Sequence, residues 1–463
     1  MKKVVLTLQD VFAIPTATIF NPDVYEPVST VSIDTRKIKQ NSLFIAIKGN
    51  NFDGHNFINE AINKGVSAIM IAEQNKNKYM NIDLPVIAVQ DTTIALGDVA
   101  KIWRSKLKAK IISLTGSAGK TTTKELLDVM LSQKYSTVKT EGNNNNHIGV
   151  PLTLLNATDK DEVVILEHGT NHFGEIPYTA PIANPDYALI TNIGHSHIEF
   201  FRNKNGVLKE KSSLLKTTYK RGGKIFINTD DPLLKKFGSA YVKKKTYGFE
   251  NRPDVKGNIL GFNNTGCAIT ELKYKNKSFI YEIPVAGKQG AKNFLSAAAV
   301  ALELGITPKQ IATALKKFNN VDRRLSIKRL NDLVLIDDTY NANPESMNHS
   351  IELLSLMDKQ KNKIAVLGDM FELGNEGVSL HKKIADTIIK NKISCVYTTG
   401  TFMKNISSKL KNKKITHKHF SNRSRLTEFL NKTDLTNSVI LIKGSRGMKM
   451  EDFVKVIEER YSK

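Results

Sequence analysis

The stretch Thr115-Gly116-Ser117-Ala118-Gly119-Lys120-Thr121-Thr122 constrains this 463-residue chain more than any other. It follows the apolar run Ile111-Ile112-Ser113-Leu114, which reads as a buried strand. It precedes a segment in which Leu126, Leu127, Met130 and Leu131 recur at helical spacing. Strand, glycine loop, Lys-Thr and helix, in that order, make a phosphate-binding loop within an α/β sheet. Gly116 and Gly119 let the backbone curl so that N–H groups converge on phosphate oxygens, and the helix N-terminus adds a favourable dipole. Lys120 can reach the terminal phosphates, and the Thr121 hydroxyl can hold Mg²⁺. Where the commoner pattern has its first glycine this chain has Leu114, so the loop is a short variant.

The rest of the chain arranges itself around that loop as an α/β protein of three domains. Residues 1–105 hold short strands, a helix over Phe57–Lys64 and a closing helical pattern over Thr93–Lys106, a small N-terminal α/β domain. Residues 106–320 open with the phosphate loop and alternate apolar strands (Val163–Leu166, Tyr187–Thr191, Gly223–Asn228) with helices, ending in Ala291–Leu304. That is a central P-loop domain on a parallel sheet, with a β-rich insertion expected over Lys245–Val285. Residues 321–463 alternate cleanly: strands Leu333–Asp337, Lys363–Leu367, Ser394–Thr398 and Ser438–Ile442, each followed by a helix. This is a doubly wound, Rossmann-like domain, whose ligands gather at the C-terminal strand ends, at Asp338, Asp369 and Lys443.

Composition excludes several classes. The net charge of +23 admits nucleic acid or acidic small molecules. No basic block alternates with aromatics, so no nucleic-acid partner is expected. No apolar run reaches the length of a membrane span. The opening Met1–Leu6 resembles a leader only until Gln9 and Asp10 interrupt it, so a cytoplasmic protein is expected. Cys267 and Cys395 form no C-x-x-C and are expected to be buried, reduced thiols.

Several constellations offer chemistry. Glu167 ends the second apolar strand after the loop, where an acid commonly orients Mg²⁺. His195 and His197, with Glu199, follow a strand end and are metal candidates, although their spacing does not reproduce a zinc motif. Lys209 and Lys211 lie on a helix; a lysine there repels Mg²⁺ unless CO₂ converts it to an anionic carbamate. Asn143-Asn144-Asn145-Asn146 offers side-chain amides to a polar substrate. Asn431-Lys432-Thr433-Asp434 matches the guanine-reading tetrapeptide of GTPases but lies outside that fold's order and is read as chance.

Taken together, these residues resemble the Mur ligases, ATP-dependent amide-bond-forming enzymes of peptidoglycan precursor synthesis. The resemblance covers nearly the whole chain. Thr115–Thr121 is similar to the family's short phosphate loop, Glu141–Pro151 to the stretch that follows it, and Glu167–Ile176 to its Mg²⁺-binding strand end. The resemblance implies ATP on Gly116, Ser117, Ala118, Gly119, Lys120, Thr121, Thr122, Asn293, Arg324, Asp338 and Asn341. It implies two Mg²⁺ ions on Thr121, Glu167, His197 and a carbamylated Lys211, with Lys209 the fallback. Catalysis would rest on Lys120, Glu167, His197, Lys211 and Arg324. In the first domain Asp34-Thr35-Arg36 and Lys48–His55 look like the uridine-nucleotide region, implying substrate contacts by Thr35, Arg36, Lys48, Asp53, Gly54 and His55. Further substrate contacts are implied for Asn144, Asn145, Asn146, Thr170, Asn343, Lys443 and Arg446. The substrates implied are UDP-N-acetylmuramoyl-tripeptide and D-alanyl-D-alanine, taken by a cytoplasmic monomer that does not insert into membranes. The family's His-Asn pair before Asn293 is replaced by Gln289 and Gly290, which bears on the adenine side of the site. The rival readings are a folylpolyglutamate-type ligase of the same superfamily and a P-loop NTPase acting as a binding module.

Overall fold

The computed structural model describes residues 4–358, 361–411 and 413–461. Met1, Lys2 and Lys3 of the leader-like stretch lie outside the described residues. Among the described residues the strands form three sheets, each at the heart of one lobe.

The central sheet has nine strands. In spatial order they are Thr137–Lys139, Val163–Glu167, Lys110–Thr115, Tyr187–Ile190, Lys224–Asn228, Lys244–Gly248, Val255–Phe262, Cys267–Tyr274 and Lys277–Ala286. The first seven run parallel and the last two antiparallel; the β-rich stretch expected over Lys245–Val285 as an insertion supplies the last four strands of this same sheet, two of them parallel. Lys110–Thr115 sits between Val163–Glu167 and Tyr187–Ile190, which the chain reaches in opposite directions across the sheet. Its C-terminal end is therefore a topological switch point, where open α/β sheets bind ligands.

Strand alternation explains how the lobes join. Ile112 and Leu114 face a core shared by the loop helix Lys120–Leu131 and the Ala-rich helix Gly287–Glu303. Ile111 points the other way, into a core continuous with Leu43, Ile45, Met70 and Ile87 of the N-terminal sheet. The helix Thr92–Lys106 carries Leu96, Val99 and Trp103 into that second core, and the Trp103 indole N–H donates to the Ala157 carbonyl at 2.9 Å. First and central lobes thus share one apolar interior.

The N-terminal sheet has five strands, parallel except for the edge pair Thr18–Phe20 and Val86–Val89. The C-terminal sheet has six, in the order Ser326–Leu330, Leu333–Asp338, Ser438–Lys443, Asn362–Leu367, Cys395–Thr399 and Thr416–Phe420. Only its first pair is antiparallel. Val334 and Ile336 pack under one helical layer, Leu333 and Leu335 under the other, as a doubly wound sheet requires. The strand Thr416–Phe420 and the helix Arg423–Lys432 come between the two last expected strands. Cys395 is followed by a single-turn helix, Ser407–Leu410, rather than by a full one. Both cysteines are free, and they are half-buried rather than buried; Cys267 starts a strand paired to the sheet's outer edge and Cys395 starts another.

Candidate active site

The C-terminal ends of the central and C-terminal sheets face one another across a cavity of about 490 Å³. Its floor is the phosphate loop. Gly119 has φ of 80°, and a Cβ there would lie 2.2 Å from Asn293 Oδ1. A Cβ on Gly116 would lie 1.9 Å from Thr191 Oγ1. Both positions therefore require glycine for close approach as well as for curvature. The Lys120 amine folds back onto the Gly116 carbonyl at 2.9 Å. Burial lowers its pKa against the opposing pull of Glu167, with the Arg324 charge adding to the depression.

Two oxygens at this floor are buried without a partner among the described residues: Thr121 Oγ1 and Glu167 Oε2. A buried, unsatisfied polar atom costs about 1–3 kcal/mol. Glu167 is otherwise held in place, its Oε1 accepting from Asn145 Nδ2 at 2.8 Å and its backbone N–H donating to Thr140 Oγ1 at 3.0 Å. One hydroxyl and one carboxylate oxygen left open beside a phosphate loop fit a hard divalent cation.

Lys211 lies on the helix Lys204–Lys220 with 1 % of its surface exposed. No hydrogen bond or ion pair among the described residues engages its amine. Burial, reinforced by the Lys120 charge, holds its pKa well below the usual lysine range. That favours the free amine, the form that adds CO₂. Lys209, two residues earlier and on the opposite face of the helix, is exposed and sits over the Phe173 ring.

The other metal candidate, His197, has φ of 53°, a strained conformation for a residue with a Cβ. Its Nδ1 meets Glu372 Oε2 from the C-terminal lobe, and Glu372 is itself at φ 60°. His195 is turned elsewhere. Its Nδ1 lies 2.5 Å from Glu345 Oε1 and its backbone N–H donates to Glu345 Oε2 at 2.9 Å. Asn343, which caps the helix Pro344–Leu356 through Ser346, also donates to the Ser117 carbonyl at 3.2 Å. These contacts dock the C-terminal lobe onto the phosphate loop.

Of the residues singled out in the sequence, Ser117, Ala118, Gly119, Lys120 and Thr122 line the cavity with Asn145, Asn146, Glu167, Thr170, His197 and Asn293. From the C-terminal lobe come Arg324, Asp338, Asn341, Asn343, Lys443 and Arg446. The Arg324 guanidinium lies 3.8 Å from the Tyr340 ring centroid. Asp338 and Lys443 are ion-paired to each other and nearly buried. Asp338 also accepts from Ser350 Oγ at 2.6 Å and from the Leu325 N–H at 3.2 Å. This pair braces the wall more than it reaches into the cavity. Asn144 is not among the lining residues, and neither are Gly116, Thr121 and Lys211, which lie behind the wall.

The first-lobe residues do not line this cavity either. Arg36 forms a two-pronged ion pair with Asp34 at 2.8 and 2.9 Å. His55 is buried, with Nδ1 2.6 Å from Asp53 Oδ1 and Nε2 accepting from the Ala72 N–H at 3.0 Å. A Cβ on Gly54 would lie 2.7 Å from the Ile47 nitrogen. Thr35 and Lys48 sit on the same two turns, the Thr35 carbonyl accepting from Lys64 at 3.1 Å and the Lys48 backbone pairing antiparallel with that of Asp53.

Four residues not read from the sequence shape the site: Lys124, Glu210, Glu345 and Glu372. Helical spacing alone puts Val207, Glu210, Lys211 and Leu214 on one face, so Glu210 was available as a buried acid. Its carboxylate accepts from the Ile176 and Gly174 N–H groups at 2.8 and 3.0 Å and orders the loop after Glu167. Lys124, on the loop helix, is wholly buried. It donates to the Thr140 carbonyl at 2.5 Å and lies 3.0 Å from Glu125 Oε1. It ties the loop helix to the asparagine-rich segment that holds Glu167. Lys124→Met leaves a buried carbonyl unsatisfied and should destabilise the central lobe by about 1–3 kcal/mol. An unchanged midpoint in chemical denaturation would show that this tether carries no load.

Family models match almost the whole chain in three parts. Residues 27–104 match the "Mur ligase family, catalytic domain", 114–301 the "Mur ligase middle domain", and 323–446 the "Mur ligase, glutamate ligase domain". The UDP-N-acetylmuramoyl-tripeptide–D-alanyl-D-alanine ligase of Bacillus subtilis (strain 168) is 36% identical, over 98% of this chain and 98% of its own length. The ligase of that name from Escherichia coli (strain K12) is 32% identical, over 93% and 94%. Among solved structures, MurF from Acinetobacter baumannii superposes with a TM-score of 0.86 at 27% identity, covering 98% of this chain and 99% of that one. MurF ligase from Thermotoga maritima in complex with ADP gives 0.82 at 28% identity, covering 93% and 97%.

Proposed function

The chain belongs to the Mur ligase family, and on that premise we propose that it joins D-alanyl-D-alanine to UDP-N-acetylmuramoyl-tripeptide at the expense of ATP. One observation of the structure supports this reading above the others. A phosphate loop and the open Glu167 carboxylate line a cavity whose opposite wall belongs to another lobe, and the open Thr121 hydroxyl and the buried Lys211, its pKa held low, lie close behind them. That is the arrangement needed to bring two anions together and then admit an amine.

In this reading ATP lies on Gly116–Thr122, its phosphates met by loop N–H groups and by Lys120. The terminal carboxylate of the tripeptide attacks the γ-phosphorus. An oxygen–phosphorus bond forms, the bond to the β-phosphate oxygen breaks, and ADP leaves. The dipeptide amine then attacks the acyl carbon, loses a proton and expels phosphate as the amide forms. Thr121, Glu167, His197 and a carbamate on Lys211 are the residues that would hold Mg²⁺, which when bound neutralises carboxylate and phosphate charge. Asn145 keeps Glu167 oriented. Arg324 approaches the nucleotide from the C-terminal lobe, and Glu345 and Asn343 keep that lobe against the phosphate loop, excluding water that would hydrolyse the acyl phosphate. The first lobe takes the uridine nucleotide near Thr35, Arg36, Lys48 and Asp53, and the chain acts as a monomer.

Phosphate release from ATP tests this, with tripeptide substrate and dipeptide supplied singly and together. Release that needs both, with a pentapeptide product by mass, is the expected result. Release without either would return the chain to a nucleotide-hydrolysing module.

A further inference from the structure

The lining of the cavity falls into two groups on either side of the phosphate loop. On one side lie two separate pairs, Asn145 hydrogen-bonded to Glu167 and His197 ion-paired to Glu372. On the other, Asn293 lies against Gly119, and Gln289 donates to Asn293 Oδ1 at 2.8 Å. This second group sits on the first turns of the Ala-rich helix, with Val285 and Leu325 beside it in the lining. The helix Pro344–Leu356 faces it from the C-terminal lobe and brings His349 into the same wall. With phosphates on Gly119–Thr122 and the reacting carboxylate on the Glu167 side, the nucleoside has this second wall to lie against.

His349 has no assigned part in the reaction, and its Nδ1 is buried without a partner among the described residues. Such an atom calls for an explanation. The charges that act on the ring are mixed: Lys292 and Lys443 on one hand, Glu345 and Asp338 on the other. Burial outweighs them and pushes its pKa down to about 4, so the imidazole is neutral at neutral pH. A neutral imidazole offers one donor and one acceptor and suits an uncharged heterocycle rather than a phosphate.

We propose that His349 is a specificity residue for the nucleotide, hydrogen-bonding the base of ATP from the C-terminal lobe through its otherwise unpartnered ring nitrogen. The assignment rests on the ATP reading above. It makes the grip on the base depend on the docked C-terminal lobe, whereas the phosphates are met chiefly by the loop of the central lobe.

The test compares equilibrium binding of ADP, ribose 5-diphosphate and tripolyphosphate to the full chain and to His349→Phe, which keeps a ring but removes the nitrogens. A neutral hydrogen bond is worth about 0.5–1.5 kcal/mol. ADP should therefore bind about 2- to 10-fold more weakly to the variant, with the other two probes unchanged. His349→Gln, which restores a donor and an acceptor, should recover part of the loss. Equal weakening of all three probes would mean a merely structural histidine, and equal weakening of ADP and ribose 5-diphosphate a sugar contact. Either result overturns the assignment, as does no change at all. Failure of the wild-type chain to bind any of the three would instead remove the nucleotide reading and this assignment with it.

Discussion

Lys120→Ala should lower turnover by about 10²–10³, the usual cost of removing one preorganised charge contact from a transferring group. The geometry argues for the upper part of that range. The amine is held at the loop by the Gly116 carbonyl, close to where phosphates would lie. The other cation at hand, Arg324, belongs to a different lobe and is stacked on Tyr340, so it is poorly placed to substitute. Steady-state kinetics with both substrates present would measure the effect. A variant retaining near-full activity would mean that the phosphate loop has been misassigned.

The second large effect is expected at Lys211. Lys211→Ala should also reduce turnover by about 10²–10³, for the same electrostatic reason applied to the two anions that must meet. Lys211→Arg should not restore it, because a guanidinium stays charged and cannot become a carbamate. The burial that depresses the lysine pKa is what makes the modification chemically available. Carbon-13 bicarbonate should give a carbamate resonance in the wild-type chain that is missing from Lys211→Ala. Full activity in a wild-type sample lacking that resonance would remove the carbamate from the mechanism.

Much of this was legible in the residue order. The loop, its strand and its helix are contiguous, so local spacing places Lys120, Thr121 and Glu167 at one sheet end. Helical periodicity likewise separates Lys211, on the buried face, from the exposed Lys209. What stayed hidden depends on tertiary closure. Glu345 meets His195 across 150 residues of chain, and neither residue carries a local signal of the other. Glu372 reaches His197 in the same way. The strand Thr416–Phe420 escapes because its Thr-His-Lys-His-Phe sequence lacks the apolar run of an interior strand; it lies at the sheet edge, where polar and charged side chains are tolerated. The departure at Gln289 was visible, but its use was not: the amide turns onto Asn293 beside Gly119.

The docking of Glu345 on His195, and of Asn343 on Ser117, also sets a rhythm for the enzyme. In the proposed cycle these contacts loosen to let ADP and the elongated product out and re-form before the next phosphoryl transfer. Their strength is therefore a compromise between commitment and escape. A variant that gripped harder would hold its intermediate more safely and still make fewer products per second.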